Sequence, residues 1–210
     1  MRRGIAAIGL LLAVSVAAVP STAKAGPPAR VTIVAVFEPI VYGQNAYVNG
    51  QLLGDGQGGQ PVALEQSAPP FTDWAPVAQV AADAQGYYSF KLRPSQTMQY
   101  RTGSQGTGSE RIVQISVAPR IKLKAEAVSK TTVRYSGTFA PALAGQTVAI
   151  QRRLPGGGWA NITNARLHDG RTFSGRFRAR HTMSVRAFFE TNGALLSDFS
   201  KVVKITRGAG

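Results

Sequence analysis

Gln60-Pro-Val-Ala-Leu64, Trp74 and Thr97-Met-Gln-Tyr-Arg101 occur in this order and then return as Gln146-Thr-Val-Ala-Ile150, Trp159 and Thr182-Met-Ser-Val-Arg186. In both places 27 positions separate the Trp from the Arg. Self-similarity at an offset of 85 to 86 residues marks a duplicated folding unit. The sequence therefore predicts two related domains of roughly 90 residues, each burying somewhat over ~60% of its extended surface and able to fold alone with modest stability.

Around these anchors the text is β throughout. In the first copy, stretches 31–37, 45–53, 60–66, 74–81, 86–93, 97–104 and 111–118 are each bounded by Gly, Pro, Asn, Asp or Ser. The second copy repeats the pattern at 121–127, 131–139, 146–153, 159–165, 172–179, 182–190 and 199–207. Seven short strands in a domain of this size predict a sandwich or a barrel. Alternation assigns the faces: Tyr88, Phe90 and Leu92 point to the core, Ser89, Lys91 and Arg93 to water. A Trp at one fixed place in each copy predicts packing or sheet capping ahead of ligand stacking. Pro119 follows the seventh strand and Arg120-Ile-Lys-Leu-Lys124 begins the next domain at once, so the pair is expected to be restrained and roughly end to end.

The N-terminus reads as an address. Arg2 and Arg3 precede an apolar run from Ile5 to Val19, followed by Pro20 and Ala23-Lys-Ala25, the pattern of a secretory signal peptide cut after Ala25. That leaves a leader at 26–30 and domains at 31–118 and 119–207, with no later run of membrane length. The chain has no cysteine, so a disulfide framework and a lipid-modified N-terminal Cys are both excluded.

Val48-Asn-Gly50 and Tyr135-Ser-Gly137 on the second strand, Gly145-Gln-Thr-Val-Ala-Ile150, a Gly/Pro loop before Trp, and Asp83-Ala-Gln-Gly-Tyr-Tyr-Ser-Phe90 form a pattern. It resembles the bacterial immunoglobulin-like modules strung together in secreted and surface proteins, over residues 31–207. The resemblance implies an all-β protein of two tandem immunoglobulin-like β-sandwich domains, without catalytic residues. Such modules serve as spacers, adhesins and accessory domains alike. Copy two departs from the pattern where Gly175 stands at the place of Phe90, which leaves the packing of that strand open.

Charge divides the copies. Residues 26–119 hold five basic and six acidic side chains, whereas residues 120–210 hold sixteen and four, a net charge of +12. So lopsided a charge concentrates polyanions without specifying which. Arg176, Arg178 and Arg180 alternate with Phe177 and Ala179, which sets three guanidiniums on one face of a strand. They are the candidate polyanion-binding residues, together with Arg152 and Arg153; Arg166, Arg171, Arg186, Lys201, Lys204 and Arg207 are candidates to extend the patch. The competing reading is a solvated edge strand whose charges block edge pairing.

For an exported bacterial protein the expected partner is an anionic polymer or surface of the cell envelope, or a protein; nucleic acid fits by charge but not by compartment. The expected location is secreted, extracellular or wall-associated. Enzyme chemistry is not expected, nor a cofactor or metal: His168-Asp169-Gly170 reads as turn chemistry, two histidines without cysteine make a poor zinc set, and Gly54-Asp-Gly-Gln-Gly-Gly59 has one carboxylate and reads as a flexible hairpin tip. The alternatives are a structural or protein-interaction module and, last, a small hydrolase using His168 or His181.

Overall fold

The structure is a computed structural model and describes residues 26, 28 and 30–206; the expected signal peptide and Arg207 lie outside them. The described residues are all-β, and none of them forms a helix long and apolar enough to cross a membrane.

In the first half, β1 (Arg30–Val31) and β2 (Val34–Val36) both pair antiparallel with β4 (Ala46–Leu53), whose other side pairs with β7 (Tyr87–Leu92). A second sheet centres on β5 (Pro61–Ser67), flanked by β6 (Ala75–Ala81) and β8 (Met98–Ser104); β8 carries β9 (Thr107–Gly108) and β10 (Val113–Ile115). β3 (Ile40–Val41) runs parallel to β11 (Val117–Ala118). The first strand, expected to be continuous, is interrupted at Thr32. There the Thr32 hydroxyl accepts the Gln51 N–H (2.9 Å), taking the place of a ladder carbonyl.

The second half repeats this order. β12 (Arg120–Ala127), β13 (Thr132–Ala140) and β16 (Thr172–Arg178) form one sheet with β13 in the middle. β14 (Thr147–Arg153) lies between β15 (Trp159–Arg166) and β17 (Met183–Phe189), and β17 carries β18 (Asp198–Phe199) and β19 (Val203–Ile205). Even the irregularities coincide. Pairing shifts between Leu64 and Glu65 in β5 and between Ile150 and Gln151 in β14, leaving Val77 and Ile162 as the extra residues opposite.

In each half the two sheets touch through their inner side chains, an arrangement compatible with a β-sandwich. The Tyr88 hydroxyl bonds Thr102 Oγ1 across the gap (2.7 Å), and Phe139 and Phe189 meet with ring centroids 5.0 Å apart. Val48, Leu64, Tyr100 and Ile115 are buried in the first half; Val133, Ile150, Phe173 and Val185 are buried in the second.

The departure at Gly175 resolves as an exchange of bulk. Register places Val48 opposite Phe90 and Tyr135 opposite Gly175, so the large residue moves from β7 to the strand corresponding to β4. A Cβ added at Gly175 would strike the Tyr135 hydroxyl and ring. Gly50 and Gly137 are kept for the same reason in both halves, since a Cβ there would meet Tyr88 or Phe173.

The junction is tied by backbone. Beyond the short link at Pro119, Thr97 N–H donates to Ala194 O (2.8 Å) and Leu196 N–H donates to Val117 O (2.9 Å), with Leu195 buried between them. The glycine-rich stretch 54–59, expected to be a hairpin tip, instead links β4 to β5 in the other sheet, and its neighbours bond to it. Buried Gln57 donates to Asp55 O (2.7 Å), and buried Gln60 donates to Gly56 O (3.1 Å) and to Gly26 O of the leader (3.0 Å).

Candidate polyanion-binding face

The side chains of β12, β13 and β16 alternate between core and water, so that Ile121, Val133, Tyr135, Phe173 and Phe177 point inward. The opposite positions form one exposed face. Arg120, Lys122 and Lys124 stand on β12, Arg134 on β13, and Arg176 and Arg178 on β16; Arg180, just past the strand, stays exposed while Ala179 is buried. Of the three guanidiniums expected to share a face, Arg176 and Arg178 share this one, and Arg180 lies beyond the end of the strand.

Register turns these residues into a track. Arg120 pairs with Ala140 and Arg178 is opposite Thr132, eight positions along β13, about 26 Å at the rise of a strand. The cations run diagonally, from Arg120, Lys122 and Lys124 at one corner to Arg134, Arg176 and Arg178 at the other. Between them lie exposed hydroxyls: Ser136 is opposite both Lys124 and Ser174, and Thr138 is opposite both Lys122 and Thr172. Arg134 sits directly opposite Arg176, a like-charge pairing that costs stability. Glu126 offsets part of it, accepting from Arg134 Nε at 3.0 Å; it is the one acidic side chain on these three strands.

Sequence reasoning missed Arg120, Lys122, Lys124 and Arg134 as members of this face. The alternation of Arg120-Ile-Lys-Leu-Lys124 was visible, but only strand order places it beside the arginines of β16. The inclusion of Arg152 and Arg153 is corrected. Both belong to β14 in the other sheet, where they line a shallow groove with His181 and Met183. Arg166, Arg186 and Lys204 lie in that other sheet too, Arg171 lies in the turn before β16, and Lys201 lies between β18 and β19. His168 and Asp169 form a tight turn, with His168 N–H donating to Thr172 O (2.7 Å) and Asp169 at φ 49°. β16 separates that turn from His181, so the two histidines stand at opposite ends of a strand.

The repeated Trp–Arg spacing has a physical counterpart on the outer face of the other sheet. Arg101 stacks over Trp74 (4.5 Å to the ring centroid) and Arg186 over Trp159 (4.3 Å). The tryptophans cap the sheet rather than fill the core. Burial lowers the pKa of Arg186 from the ordinary arginine value without neutralising it.

No known family model matches the chain, and no curated protein matches its sequence.

Proposed function

We propose that this is a secreted, non-enzymatic protein of two tandem immunoglobulin-like sandwiches that holds an extended anionic polymer of the bacterial cell envelope on the outer face of β12, β13 and β16. The observation that carries the reading is Arg134. Edge protection accounts for the charges on β12 and β16, which are the two edge strands of this sheet among the described residues, but not for an arginine on the central strand β13. A track about 26 Å long with a hydroxyl floor suits a chain of phosphates or carboxylates rather than one small anion. The common strand order of the halves supports the immunoglobulin-like reading, and the apolar run of residues 5–19 supports export.

The test is binding to purified envelope across a salt series. Neutralising several charges on a polymer releases counterions, so affinity is expected to fall steeply with salt, with a log–log slope of roughly 0.7–0.9 per contact. Arg176→Glu, Arg178→Glu and Arg180→Glu together are expected to weaken binding by more than tenfold and to reduce the slope by about 2 or more. Arg152→Glu with Arg153→Glu serves as the control on the opposite sheet. Binding indifferent to salt, or equal loss from the control pair, removes the proposal.

A second reading rests on β6. This edge strand, Ala75–Ala81, is largely exposed and carries no charge, so its free edge offers backbone groups to a strand of another protein. Val77→Lys is expected to abolish any salt-insensitive protein association; an association untouched by it places the contact elsewhere.

A further inference from the structure

The duplication supplies an internal control for a second site. Glu65 is opposite Arg101 in the first half, and Gln151 holds the same place opposite Arg186 in the second. Gly103 pairs with Gly108 in the first half, where Phe188 pairs with Phe199 in the second. The frame and the stacked Trp are shared, and three side chains have changed around the guanidinium.

The consequences are electrostatic and steric. Arg101 is neutralised by Glu65 at 2.6 Å. Arg186 meets only a neutral amide: its Nε donates to Gln151 Oε1 (2.9 Å), and Gln151 Nε2 donates to Asn161 Oδ1 (2.9 Å), which fixes the orientation of the pair. Among the described residues no carboxylate pairs with Arg186. Asp198, beside Phe199, directs its carboxylate to the Phe199 N–H (2.7 Å). Rings replace the lost counter-ion: the guanidinium carbon lies 4.3 Å from the centroid of Trp159, 4.7 Å from Phe199 and 5.8 Å from Phe188. Phe199 is 55% exposed.

We infer that this box binds a uronate residue of an acidic polysaccharide, its carboxylate on the outer nitrogens of Arg186 and the apolar face of its ring on Phe199 and Trp159. A planar guanidinium without a counter-ion favours a carboxylate, and an open aromatic surface favours a flat C–H-rich ring over a side chain that needs a deep pocket. The neighbouring amides of Gln151 and Asn161 suit hydroxyl groups. A peptide is less suited, because β14 and β17 are interior strands whose backbone is already paired on both sides. The site lies on the opposite sheet from the basic track and does not depend on it.

The experiment titrates the protein carrying Trp74→Phe, so that Trp159 is the sole tryptophan reporter, with trigalacturonate, its methyl ester, tetraglutamate and inorganic phosphate. Trigalacturonate is expected to give a saturable change in Trp159 fluorescence, and the ester, peptide and phosphate far less. Gln151→Glu rebuilds the ion pair that the first half already folds with, and is expected to weaken binding at least about tenfold, the loss of a charge-assisted contact. The triple charge reversal at Arg176, Arg178 and Arg180 is expected to leave this binding within about twofold, which separates the site from the track. Absence of saturation, equal response to the ester, peptide or phosphate, or binding unchanged by Gln151→Glu overturns the inference.

Discussion

Exchanging Tyr135 and Gly175 for their first-half counterparts tests the claim that one core has been repacked by moving bulk across a strand pair. Tyr135 is buried, lies against Phe177 with ring centroids 6.1 Å apart, and occupies the space in which a Cβ on Gly175 would sit. Tyr135→Val alone leaves a cavity and is expected to cost about 3 kcal/mol. Gly175→Phe alone drives a ring into the tyrosine and is expected to cost about the same through overpacking. Independent effects would sum to about 6 kcal/mol, enough to unfold many domains of this size. The double variant instead restores the Val48 and Phe90 arrangement, so its cost should not exceed about 3 kcal/mol, a coupling of about 3 kcal/mol. Urea unfolding followed by Trp159 fluorescence in a Trp74→Phe background measures it. With m near 1–3 kcal/mol/M the double variant should unfold at least about 1 M higher than additivity allows, at unchanged m. A double variant as unstable as the sum of the singles refutes the exchange.

Two further outcomes follow from buried groups. Burial raises the Tyr100 phenol from its ordinary 10.0 to about 12, so between those values the unfolded chain has released a proton that the folded chain still holds. Stability should be unaffected by this group below pH 10 and should fall by up to about 1.4 kcal/mol per pH unit through the window, a slope that Tyr100→Phe should flatten in urea midpoints taken from pH 9 to 11.5. At the junction, Leu195→Ala is expected to cost about 2–4 kcal/mol and to split one unfolding transition, read by Trp74 and Trp159 separately, into two; coincident transitions in the variant would show that Leu195 does not couple the halves.

Much of the fold was legible because it depends on short-range patterns. Period-two alternation placed Tyr88 and Phe90 in the core and Arg176 and Arg178 outside, and the turn residues bounded the longer strands within a residue or two, whereas the expected stretches 31–37, 111–118 and 199–207 each break into two short strands. Hidden from that reading was whatever depends on pairing across long sequence separations. Arg134 and Arg176 become neighbours only through antiparallel register, and Arg152 leaves the patch only because β14 joins the other sheet. Gly175 looked like a defect because its compensating residue, Tyr135, lies 40 positions away. The stacking of Arg186 on Trp159 was signalled by the conserved spacing between copies, but spacing alone cannot distinguish a stacked pair from two core positions.

The comparison of the two halves also bears on whether the basic track is a by-product of folding. Register aligns Lys124 with Val34, Arg134 with Tyr47, Thr172 with Tyr87 and Arg176 with Lys91, since each occupies the same place relative to the shared glycine of β4 or β13. Three of these four positions are therefore apolar or aromatic in the first half, where Val34 is 53% and Tyr87 55% exposed, and cationic or polar in the second, while Lys91 already places a cation where Arg176 stands. A sheet that folds with valine and tyrosine at these places does not need lysine and arginine there. Nor does solubility require the charges to cluster: the first half stays near neutrality with five basic and six acidic residues. Cations that neighbour one another against their mutual repulsion, on a face the fold leaves free to vary and with Glu126 as their one acidic neighbour on these strands, are what the proposed external anion would compensate. Replacing Lys124 and Arg134 by Val and Tyr should therefore raise stability by a few tenths of a kcal/mol or leave it unchanged, while weakening envelope binding by roughly tenfold. A marked loss of stability instead would mean that these charges serve the fold after all.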